Sequence, residues 1–93
     1  MKVRALHAVA YVPANTPAAI EAAVHELMGA LPMASADAVV SAIFASTPEL
    51  DAAFPATVAR EWGIQGAVLG LQATGGRAGR IEMLAHVLEP SSA

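Results

Sequence analysis

Residues 46–61 read STPELDAAFPATVARE and gather two of the six prolines, one of the two phenylalanines and one of only five basic side chains, in a chain otherwise dominated by alanine and aliphatic residues. The passage reads as a turn followed by a short helix. Thr47-Pro48 begins one turn and Phe54-Pro55 a second. Pro55 suits the first turn of a helix, because the N–H it lacks has no intrahelical partner there. Gly63 is the kind of residue that ends one, which predicts a helix over 55–62. Immediately upstream, VVSAIFAS at 39–46 is β-branched and aromatic at its centre, the composition of a strand. The turn therefore sits at a strand end, where binding residues are commonly displayed.

Upstream, residues 3–11 form an apolar run carrying Arg4 and His7, closed by Pro13 and Asn15, and read as a first strand. Asn15-Thr16-Pro17 is a helix start, with Thr16 capping free N–H groups and Pro17 in the first turn. Ile20, Val24, Leu27 and Leu31 follow at helical spacing, with Glu21 and His25 off that stripe, which predicts a helix ending near 31–32. Downstream, residues 67–72 read as a third strand, Thr74-Gly75-Gly76 as a loop, residues 80–88 as a fourth strand and 89–93 as a tail. The order β-α-β-α-β-β makes one α+β domain of residues 1–93, with no internal repeat or linker. Met28 and Met33 read as gap-filling core residues, and Trp62 and Tyr11 as packing or interface residues.

The fourth strand carries the most informative pattern. Period two sets Ile81, Met83, Ala85 and Val87 on one face and Arg80, Glu82, Leu84 and His86 on the other. The apolar face is expected under the helices. The mixed face then points at a second layer, a cavity or another subunit, and Glu82, if buried there, requires a cation or a hydrogen-bond partner. Arg80 and His7 are the candidates.

Composition narrows the function classes. A chain of 93 residues supports one modest core, near the size at which association often supplies further burial. With 56% hydrophobic and 14% charged residues it has the composition of a folded domain. A net charge of -3, with no basic stripe, argues against nucleic acid as a partner. The absence of cysteine excludes disulfides and thiolate metal sites. Apolar runs are broken by Pro, Asp or Gly before bilayer length, and the start of the sequence lacks a signal-peptide layout, so the expectation is a cytoplasmic protein without a membrane partner. No phosphate loop, metal-spaced histidine pair or nucleophile elbow is present, and neither a cofactor nor a metal is expected.

The stretch TPELDAAFPATVARE resembles the passage after the second strand in the monofunctional, trimeric chorismate mutases of the α/β-barrel type. The resemblance runs without gaps from residue 2 to about residue 72: KVRALHA stands where the family has its first strand and NTPAAI where it begins its first helix. Residues 74–76 and 81–87 resemble the family's next loop and strand after a short deletion. It implies a mixed sheet with helices on one face, a homotrimer with a pseudo-barrel interior, and clefts between subunits that bind a small carboxylate. In that family chorismate is rearranged to prephenate without a cofactor. A pericyclic step needs a compact substrate conformer and positive charge at the breaking C–O bond, and arginine serves both needs. Carried over by position, Phe54 and Ala56 match pocket residues and Arg60 the arginine of the second helix. Arg4 matches a strand arginine, and Gln72 ends the third strand at the pocket.

Other positions depart from the pattern. The family's substrate-binding arginine of the first strand is His7 here, and its ether-facing arginine of the fourth strand is Glu82, a reversal of charge. Ala73 stands for a glutamate and Thr57 for a lysine. The sequence runs out where the family's last segment, with its active-site tyrosine, would follow, which suggests a shortened, divergent member. Loss of one preorganised donor costs on the order of a hundredfold in rate, so altered or weak mutase activity is expected. The implied enzyme uses His7 and Glu82 as an acid–base pair, with Arg60, Arg4 and Arg80 as candidate substrate cations. The alternative is a noncatalytic trimeric binding module that lost the site.

Overall fold

A computed structural model describes residues 2–30, 38–73 and 77–89. The first helix ends at Gly29, short of the expected 31–32, with the Ala30 N–H closing back on the Leu27 and Met28 carbonyls. Expectations for Leu31, for Met33, for the 74–76 loop and for residues 90–93 lie outside the described residues. The elements are β1 (Lys2–Tyr11), α1 (Pro17–Gly29), β2 (Val39–Ser46), α2 (Pro55–Trp62), β3 (Ala67–Gln72) and β4 (Arg80–Glu89), in the expected β-α-β-α-β-β order.

Local chemistry sets the helix ends. Thr16 Oγ1 accepts the Ala19 N–H at 3.2 Å, and Pro17 fills the first turn of α1. Pro55 opens α2, and Gly63 closes it at φ 120°, a backbone region open to glycine and costly for other residues. The strands form one mixed sheet in the order β1-β4-β2-β3. β4 is antiparallel to both neighbours, and β2 and β3 are parallel, joined through α2.

Both helices cover one face of this sheet. Ile81, Met83, Ala85 and Val87 are buried there, as the alternation of β4 requires. Ile20, Val24, Leu27 and Met28 of α1 and Val58 and Ala59 of α2 complete the core with Phe44. The opposite face exposes Val3, Val9, Tyr11, Leu69, Leu71 and Leu84. Trp62 is also exposed, since α2 buries Pro55, Ala56, Val58 and Ala59 and not its last turn, so this side chain is not part of the chain's own core. At the start of the parallel pair β2 and β3 approach very closely: a Cβ built on Gly66 would stand 2.3 Å from the Val40 carbonyl oxygen and 2.6 Å from that of Val39.

Candidate functional site

Two groups of polar side chains are assembled, one at each face of the sheet. The first surrounds a cleft of about 390 Å³ at the C-terminal ends of β2 and β3. Phe44 and Ser46 of β2 and Gly70 and Gln72 of β3 form its floor, on the helix-covered face that also holds Ile81 and Met83. Its walls are the turn of residues 47–51 and the first turns of α2, including Phe54, Ala56, Thr57 and Arg60. Four of the residues expected at a site from the sequence, Phe54, Ala56, Arg60 and Gln72, therefore meet in one cleft. Phe54 is 72% exposed, and Arg60 Nη2 donates to the Val68 carbonyl at 2.8 Å, which orients the guanidinium along the cleft wall.

The second group lies on the open face. Val9 pairs with Glu82 and His7 with Leu84 across the antiparallel β1–β4 ladder, which sets His7 diagonal to Glu82. Their side chains meet, with His7 Nε2 and Glu82 Oε2 3.1 Å apart. Arg80 Nε stands 2.9 Å from Glu82 Oε1, an ion pair rather than an aligned hydrogen bond. The three side chains grade from the surface inward, 58% exposed for His7, 34% for Glu82 and 17% for Arg80. Both partners that the sequence nominated for Glu82 are in place.

Arg4 joins neither group. It pairs with Val87 in the ladder, so strand alternation puts it on the helix-side face of β1, opposite to His7, and it does not line the cleft. His86 shares the open face with Glu82, where its Nδ1 is 3.1 Å from Ser41 Oγ. Among the described residues no cluster of three or more His, Asp or Glu side chains could hold a metal ion, and no helix is long and apolar enough to cross a membrane.

Sequence reading missed the residues that hold the two groups in place. Thr47, 4% exposed, accepts the N–H of Gly79 at 3.0 Å and of Arg80 at 3.2 Å through Oγ1 and donates that hydroxyl to Glu49 at 2.7 Å. Asn15 clamps the cleft wall, accepting the N–H groups of Asp51 and Ala52 and donating to the Asp51 carboxylate at 2.7 Å. Arg77 stacks over Tyr11, its guanidinium carbon 4.3 Å from the ring centroid. The Thr-Pro-Glu triplet was the available signal for the first hub, since a turn threonine commonly bonds nearby backbone.

Glu49 gives this turn a pH dependence. The Thr47 hydroxyl and then the Gly79 N–H favour its carboxylate and lower its pKa below the ordinary value of 4.5. A depressed carboxylate stabilises the fold above its unfolded pKa, and the contribution is lost as pH falls through the lower, folded one. Glu49→Gln is therefore expected to melt below the wild type at neutral pH, with the gap closing on acidification below about 4.5. Melting curves of both proteins across that range check it, and a gap independent of pH would refute the assignment.

Compared with known proteins, residues 3–88 match the family model of chorismate mutase type I. The fold is similar to that of a solved chorismate mutase from Clostridium thermocellum, with a TM-score of 0.81 and 27% identity over 96% of this chain and 86% of that one. No curated protein sequence gives a significant match.

Proposed function

Since this chain belongs to the chorismate mutase type I family, we propose that it binds a small chorismate-type carboxylate in a cleft completed by a second copy of itself, and acts on it by proton transfer through His7 and Glu82. The observation that carries this reading is the His7–Glu82 pair at 3.1 Å on an accessible sheet face. A histidine held against a carboxylate is a common proton-transfer arrangement. The two positions also explain why efficient mutase activity is not expected. A pericyclic rearrangement needs cations at the breaking C–O bond, and here Arg80 is engaged by Glu82.

The geometry of one chain supports the composite cleft. Phe54, Ala56, Arg60 and Gln72 serve the cleft under the helices, while His7 and Glu82 stand on the other face and do not line it. Only a neighbouring copy could bring one chain's cleft wall to another's open face. The exposed Val3, Val9, Leu69, Leu71 and Leu84 of that face suit burial in a closed homotrimer. Light scattering on the purified protein is expected to give three times the 9.4 kDa mass of the chain, and a monomer at micromolar concentration would remove the composite site.

Ligand class is tested by thermal shift against chorismate, prephenate, isochorismate and simpler aromatic acids, followed by product analysis for each binder. Stabilisation by an amount that grows with ligand concentration reports binding without presuming a reaction. A second reading, a noncatalytic trimeric module, draws on the way His7 and Glu82 satisfy each other and Arg60 bonds backbone. It predicts binding or assembly with no product, whereas absence of any stabilising carboxylate refutes the ligand class itself.

A further inference from the structure

We infer that Arg80 is a positioning residue, which holds Glu82 so that Oε2 fixes the tautomer of His7 and leaves Nδ1 as the atom that exchanges protons with the ligand. The chain of contacts is continuous. Thr47 grips the Arg80 backbone on both sides, its Oγ1 accepting the Arg80 N–H at 3.2 Å and its own N–H donating to the Arg80 carbonyl at 3.0 Å. The Arg80 side chain, the least exposed of the three, meets Oε1 of Glu82 at 2.9 Å, and Oε2 of the same carboxylate faces His7 Nε2 at 3.1 Å. With one oxygen held beside the guanidinium by this ion pair, the carboxylate stays next to Arg80 and its other oxygen is presented to the imidazole.

A carboxylate only accepts hydrogen bonds, so the nitrogen it faces must carry the proton. Neutral His7 is therefore protonated on Nε2, and its lone pair is on Nδ1. Resting on the proton-transfer reading above, the step balances without a further reactant. Nδ1 takes a proton from a C–H or O–H of the ligand, the bonding pair stays on the ligand, and the imidazolium forms beside the Glu82 carboxylate. Return of the proton to a different ligand atom completes an isomerisation. The substrate class this selects is a carboxylate with an acidic C–H or O–H, and Arg80 touches none of it.

Long-range 1H–15N spectra of the full-length, ligand-free protein, above the imidazole titration, test the assignment and stand apart from any failure of ligand binding. The wild-type His7 should be held in the Nε2–H tautomer, with a ratio displaced from that of exposed His25, the internal solvated reference. Arg80→Met should relax the His7 ratio to that of His25, and Arg80→Lys should restore part of the displacement by returning charge without the planar fork. If Arg80→Met does not fold, Glu82→Gln serves, because its amide can donate to Nε2 and must lower or invert the ratio. A wild-type His7 in the Nδ1–H form, or a ratio unmoved by whichever of these variants folds, overturns the inference.

Discussion

His7→Ala is expected to lower kcat by about 10²–10⁴-fold on whichever carboxylate of the screen is turned over, the range for removing a positioned acid–base group, with the melting temperature unchanged. The separation of the two effects follows from placement. The His7 side chain is 58% exposed in the single chain, and in the proposed composite site it faces the ligand space rather than packed side chains. Its loss therefore opens no cavity, and Glu82 keeps its ion pair with Arg80. Loss of rate with retained folding then points to chemistry. A variant as fast as the wild type would show that the pair exists only to satisfy its own polarity. Arg60→Ala is the useful contrast: Arg60 lines the cleft at a distance from His7 along the fold, so its removal is expected to appear mainly in KM.

Gly66→Ala carries the largest expected effect on stability. Its new methyl would stand 2.3 Å and 2.6 Å from two backbone carbonyl oxygens of Val40 and Val39, far inside contact distance. Overpacking against mobile side chains costs about 1–3 kcal/mol, and here the obstacle is main chain in the neighbouring strand. A loss of about 3 kcal/mol or more is expected, or roughly 12–24 °C in melting temperature for a domain of this size. Gly70→Ala is the control, since a Cβ there meets only the Ala56 methyl, at 3.6 Å, an ordinary contact. Equal melting temperatures for the two variants would contradict the close approach of β2 and β3.

Most of the architecture was legible because its signals are local. Thr16-Pro17, Phe54-Pro55 and Gly63 punctuate the helices by capping and φ preference, and the alternation of β4 separates buried from mixed residues one by one. The partnership of Arg80 with Glu82 was legible for the same reason, two residues apart on one strand face. Arg4 shows what carrying a site over by position leaves out. It lies three residues from His7, and strand parity puts the two on opposite faces of β1, so residues that resemblance assigned to one pocket can share it only across two copies of the chain. The rest depended on register between distant segments. Thr47 reaches Gly79 and Arg80 only because β4 returns antiparallel beside β2, and His7 meets Glu82 only because β1 lies beside β4, neighbourhoods set by strand order that no local pattern encodes.

β4 also bears on how such a chain can change over time. Its odd-numbered positions from Ile81 to Val87 are committed to the core, while Arg80, Glu82 and His86 stand on the other side of the same backbone with no share in that packing. Folding and the proposed chemistry are thus written on one strand in two interleaved scripts. A point change such as the exchange of an arginine for Glu82 edits the second and leaves the first intact, so a new reaction can be tried on this scaffold without first surviving a loss of fold. A single inserted residue has the opposite character, because it swaps the two scripts at once.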